Sequence, residues 1–70
     1  VIAYGLPVAQ RVNLTIYNVL GQKVATLVDG VQDAGPQQVE WNASDVSSGV
    51  YFYRLTTEQN IKTRKMLLLK

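Results

Sequence analysis

Between residues 11 and 17 the apolar Val12, Leu14 and Ile16 alternate with Asn13, Thr15 and Tyr17. That period of two turns one face of a strand toward a core and the other toward solvent. Residues 18–21 read N-V-L-G, a turn in which Gly21 can take positive φ, and residues 22–28 resume an apolar, β-branched run, so the pair predicts a hairpin. Residues 29–36, D-G-V-Q-D-A-G-P, collect turn formers and predict a loop. In residues 37–42 Val39 and Trp41 share one face and Gln38, Glu40 and Asn42 the other, so a further half-buried strand is expected, with Trp41 inward. After a small, polar connection, residues 50–57 (V-Y-F-Y-R-L-T-T) are dense in the types that suit a pleated surface and predict a central strand. Residues 61–69 form the last strand, and residues 1–6, closed by Pro7, add another at an edge. No helical period appears. The pattern predicts an all-β fold, a small antiparallel immunoglobulin-like sandwich of about six to seven strands, without the inter-sheet disulfide of antibody domains.

Length limits the 70 residues to one domain, and 47% hydrophobic with 17% charged residues fits a packed core rather than a disordered tail. The chain has no cysteine and no histidine. Disulfides, thiolate nucleophiles, imidazole bases and the commonest zinc ligands are therefore excluded, and no cofactor is expected. The apolar stretch at residues 1–9 is interrupted by Gly5 and Pro7 and falls far short of the roughly 18–20 residues of a spanning helix, so no membrane span is expected. The chain starts at Val1, not Met, which predicts a domain cut from a larger protein, its amino-terminal edge trimmed and any export signal upstream. A net charge of +2 does not suggest a nucleic-acid partner. Its distribution is more telling: Lys62, Arg64, Lys65 and Lys70 all follow Glu58, the last acidic residue.

Four chemistries remain to be weighed. The carboxylates Asp29, Asp33, Glu40, Asp45 and Glu58 include no pair that a domain this small would hold in a deep cleft, so they read as turn formers and a solvated strand face. Asp29, Asp33 and Asp45 fall in expected loops and offer oxygen ligands for calcium, but without EF-hand spacing; Asx-type turn caps account for the same residues. Tyr17, Trp41, Tyr51, Phe52 and Tyr53 suit either a stacking platform for sugars or bases, or core packing. Tyr51, just after the 47–49 turn, is also placed to send its hydroxyl to a loop carbonyl in the manner of a tyrosine corner. The basic end offers contacts to phosphates, lipopolysaccharide or an acidic protein surface, against the plainer reading of cations that protect an edge from wrong pairing.

Taken in order, I-A-Y-G-L-P (residues 2–7), V-N-L-T-I-Y-N-V-L-G-Q-K-V-A-T-L-V (12–28), A-G (34–35), V-E-W-N-A (39–43), S-G-V-Y-F-Y-R-L (48–55) and T-R-K-M-L-L-L-K (63–70) resemble the type A carboxyl-terminal sorting domain of the bacterial type IX secretion system. Members often carry a Pro-Asn-Pro stretch just upstream of the position where this chain begins. Residues 16–27 and 48–55 are also similar to the immunoglobulin-like domain of flagellar hook-capping proteins, an assembly module. A carbohydrate-binding module of a secreted enzyme is a third reading, and it requires exposed coplanar rings among Tyr17, Trp41, Tyr51 and Tyr53.

The sorting-domain resemblance implies a noncatalytic, removable address on a cargo protein of the Bacteroidota or related phyla. The cargo would reach the periplasm by an amino-terminal signal peptide, and the outer-membrane translocon would then recognise this domain. A cysteine-peptidase sortase would remove it, leaving the cargo at the outer-membrane surface or outside the cell. By position, the family's Gly-x-Tyr element falls on Gly49 and Tyr51, with Gly21 and Trp41 as further structural positions. Its closing lysine-bearing strand falls on Lys65, Met66, Leu67, Leu68, Leu69 and Lys70, the expected recognition site, read by strand addition and acidic complementarity. A monomer is expected, with edge-to-edge dimerisation as the alternative.

Overall fold

The computed structural model describes residues 2–44 and 46–69. Among these the chain forms six strands: β1 (Ile2–Leu6), β2 (Gln10–Asn18), β3 (Lys23–Gln32), β4 (Gly35–Val39), β5 (Gly49–Thr57) and β6 (Ile61–Leu68). All pairings are antiparallel. One sheet has the order β3-β2-β5-β6, and β1 and β4 pair as a second, two-stranded sheet. This is a small β-sandwich. Its four-stranded ladder repeats the C′-C-F-G order of an immunoglobulin sheet, with β1 and β4 in the positions of strands B and E.

The alternation in β2 builds the core directly. Val12, Leu14 and Ile16 are fully buried, and Leu14, Ile16, Ile2 and Tyr51 form the central cluster. Half-buried side chains from the other strands, among them Val24, Leu27, Val28, Val39, Tyr53, Leu55 and Met66, pack around it. Full burial of three such β-sheet side chains is worth about 1.5–3 kcal/mol each.

The β2–β3 hairpin turns as expected, and a single side chain organises it. The Asn18 carbonyl accepts a hydrogen bond from the Gly21 amide at 3.0 Å, and the Asn18 amide donates to the Gln22 carbonyl at 3.0 Å. Asn18 Oδ1 accepts from the amides of Leu20 and Gln22, while its Nδ2 donates to Gln22 Oε1 at 2.9 Å. Gly21 sits at φ +80°, the left-handed position that closes a three-residue hairpin loop. A side chain there would be strained by about 1–2 kcal/mol.

Two sequence expectations are corrected. Residues 29–36 are not one loop: β3 continues through Asp29 and Gly30 to Gln32, and β4 begins at Gly35. The ladder to β2 overrides the turn propensity, with Asp29 opposite Asn13 and Gly30 opposite Val12. Arg11, next along β2, reaches Asp29 Oδ1 at 3.4 Å. The strand expected at 37–42 runs instead from Gly35 to Val39, so Trp41 lies beyond its end. Trp41 still packs against the core cluster. In β3 the register slips twice, leaving Leu27 and Val24 without partners on β2. These bulges re-phase the strand, and Val24, Ala25, Leu27 and Val28 all pack against the core where a strict period of two would present only alternate residues.

Tyr4, on β1, packs against the core, and its hydroxyl is buried with no hydrogen-bond partner. Burial raises its pKa above the usual tyrosine value. Stability from the neutral hydroxyl is present below the ordinary pKa of about 10 and is lost as pH rises through the raised value. Tyr4→Phe removes both the unsatisfied group and the titration. Urea denaturation across the alkaline range should show the variant at least as stable as the parent at pH 7 and less sensitive to pH above about 10.

Candidate functional site

The expected recognition strand is the outer strand of the larger sheet. β6 pairs with β5 in an unbroken register that places Met66 opposite Tyr51, Lys65 opposite Phe52, Leu67 opposite Val50 and Leu68 opposite Gly49. Alternation splits these residues between two environments. Met66 and Leu68 are half-buried against the core cluster, on the face that carries Tyr51, Tyr53 and Leu55. Lys65 and Leu67 lie on the opposite, outer face, with Leu67 64% exposed, and Leu69, just past the strand, is 79% exposed. Lys70 lies outside the described residues. Residues 65–70 form one motif in the sequence, and pairing with β5 divides the described part of it into side chains that hold the fold and side chains that solvent or a partner can reach.

The Gly49–Tyr51 element sits where β5 enters the sheet beside the end of β6. Gly49 has φ +150°, a backbone conformation that L side chains rarely adopt. From that bend Tyr51 reaches back, and its hydroxyl donates to the Ser47 carbonyl at 2.7 Å. This is the tyrosine corner expected at the start of an F-type strand. Trp41 meets the Tyr51 ring edge-on, with centroids 5.3 Å apart and planes at 71°. The two rings thus connect the chain leaving β4 to the start of β5, and a contact of this kind adds about 0.5–1.5 kcal/mol beyond area burial. Gly49 and Gly21 thus supply the positive φ of their turns, and Tyr51 and Trp41 pack on one another.

The other chemistries fare differently. Tyr51 is buried, Tyr53 packs against the core, Trp41 lies across Tyr51, and Tyr17 carries the Arg54 guanidinium 5.1 Å above its ring on the outer face. These rings share no exposed plane, which counts against a sugar platform. Asp29 belongs to a strand and not a loop, and Asp45 lies outside the described residues. Among the described residues no three His, Cys, Asp or Glu side chains come together as a metal site. No helix is long and apolar enough to cross a membrane.

Charge separates by sheet. Neither β1 nor β4 contains a charged residue, whereas Arg11, Lys23, Arg54, Lys62, Arg64 and Lys65 lie on the larger sheet with Asp29 as its single acid. Among the described residues the one ion pair is Arg11 with Asp29. The cations of β6 are exposed to water. The excess of positive charge near the carboxyl end is visible in the sequence; the strand order adds Arg54, whose partner Thr63 lies on β6.

Two substitution sets check the division. Tyr51→Phe keeps the ring contact and loses the bond to Ser47, which should cost about 1 kcal/mol and lower the Tm of so small a domain by about 4–8 °C in calorimetry. In chemical denaturation Met66→Ala should cost about 1–2 kcal/mol, less than a full core truncation because the side chain is half-buried, while Leu67→Ala should stay within about 0.5 kcal/mol. Equal losses at both positions would contradict the inward and outward assignment.

No curated protein and no solved structure matches the chain. A family model described as the secretion system C-terminal sorting domain matches residues 1–69. The chain therefore belongs to the C-terminal sorting domain family of the type IX secretion system, a family of noncatalytic sorting signals.

Proposed function

We propose that the domain is read by the type IX outer-membrane translocon through its last strand and that it directs an attached upstream cargo out of the periplasm. The cargo then stands at the outer-membrane surface or is released outside the cell, and a sortase of the cysteine-peptidase class removes the domain. The host on this reading is a member of the Bacteroidota or a related phylum. The observation that supports this assignment of the recognition site is the exposure of Lys65, Leu67 and Leu69 on a sheet edge while Met66 and Leu68 anchor the same strand inward. A receptor can engage the outward side chains without unfolding the domain. The role of the domain on this reading is to be recognised.

The test is a fluorescent reporter bearing a periplasmic signal peptide and this domain at its carboxyl end, expressed in a type IX competent bacterium and in a translocon-deficient strain. The reporter should appear outside only the competent cells. Replacing Lys65 and Lys70 by alanine should leave the thermal transition in place and lower export about tenfold, as expected for the loss of two charge contacts to a receptor of about 0.7 kcal/mol each. Normal export of the folded double variant would remove these lysines from the site, and periplasmic retention of the parent fusion would overturn the reading.

A further inference from the structure

Among the described residues the two sheets end in four strand edges, and three of them are blunted. β4 contains Pro36, which cannot donate to a ladder. β1 is five residues long and contains Gly5. β3 carries both bulges, which twist an edge away from flat pairing. β6 differs from all three: eight residues without Gly or Pro, in unbroken register from Ile61 to Leu68. β6 ends the order of its sheet, and an open depression of about 410 Å³ beside it is lined, among the described residues, by Lys62, Thr63, Arg64 and Lys65.

The defence of this edge is electrostatic. Lys62 and Arg64 point to the face shared with Leu55 and Tyr53, Lys65 points to the outer face, and all three are exposed. Two copies of β6 paired antiparallel about Lys65 would set that lysine against its twin. Pairing one and a half residues nearer the start would set Lys62 against Lys65 and Thr63 against Arg64. Like charges directly opposite are destabilising, so self-pairing is opposed. The same cations favour a strand of opposite charge.

We infer that the free edge of β6 accepts an extended polypeptide segment of a receptor as an added antiparallel strand, apolar in its first half and acidic in its second. This deepens the proposed recognition of the last strand and rests on that reading. The order follows from the sequence of the edge. In an antiparallel ladder the segment's early residues lie beside Met66, Leu67 and Leu68, and its later residues lie beside Lys65, Arg64 and Lys62. The acids belong on both faces of the segment because the cations do. A lipid surface can meet the charge and the leucines but cannot complete the row of backbone donors and acceptors, and for that reason a polypeptide is the occupant.

The probe is a synthetic octapeptide of valine, leucine and valine followed by two glutamates, a threonine, a glutamate and a threonine, so that acids lie opposite Lys65, Arg64 and Lys62 on both faces, titrated into the 70-residue chain. Amide NMR should show shifts and slowed hydrogen exchange concentrated on β6, with affinity falling as salt rises. A peptide of reversed order should bind more weakly, as should one N-methylated at alternate residues on its pairing edge. Lys62→Glu with Arg64→Glu, both exposed and expected to leave the circular dichroism spectrum unchanged, should weaken binding at least about tenfold.

Shifts confined to another edge or to the outer face would overturn the inference, as would indifference to charge reversal. So would a dimer of the chain alone seen by sedimentation, or tighter binding to phosphatidylglycerol vesicles than to the peptide. Loss of binding once a cargo is fused upstream would also overturn it, because the edge would then be filled in cis. Failure here is distinguishable from failure of the sorting role: export of the charge-reversed reporter at the parent level would sink the docking edge alone, whereas translocon-independent behaviour of the parent reporter would sink the reading beneath it.

Discussion

Burial of one face of β2 is the constraint on which the rest of the domain depends. Val12, Leu14 and Ile16 are completely covered. Covering them requires β3 and β5 on either side and the β1–β4 ladder above, because a lone sheet would leave that face wet. With few residues to spare, the smaller sheet can cover only part of the larger one. Its shortfall shows at β6, where Met66 and Leu68 reach the core but Lys62 and Arg64, on the same face, remain exposed.

The tyrosine corner and the edge-on Trp41 compensate locally for that thin cover. The Tyr51 hydroxyl ties the approach to β5 back to Ser47, and Trp41 bridges from the chain after β4 to the Tyr51 ring. Both contacts act on the connection that carries the chain from one sheet to the other, where a sandwich without disulfides is otherwise held only by packing. The closing strand then inherits a fixed position from β5, through eight residue pairs. Folding and recognition therefore share β6, but they use different side chains of it.

Much of this was legible in the residues themselves. Strict alternation at 12–17 sets the buried face of β2, and the N-V-L-G turn sets the hairpin because Gly21 is needed at positive φ. Tyr51 after a small polar turn pointed to its bond with a loop carbonyl. The misread segments are those in which local preference and tertiary pairing disagree. Asp29 and Gly30 are turn formers by propensity, yet they lie in a strand because β2 offers partners and Arg11 meets the aspartate. Trp41 continued an alternating pattern past the end of β4 and found the core from outside a strand.

The sequence by itself determined the class of fold, the buried face of β2, the family and the accumulation of cations before the carboxyl end, because these depend on side-chain period, order of motifs and composition. Only the tertiary structure decided which strand edges remain open and which side of the last strand faces the core. Those are properties of strand order and cross-strand register, fixed by residues distant in the chain: Met66 is an inward residue because Tyr51 is its neighbour, and Leu67 an outward one because Val50 is.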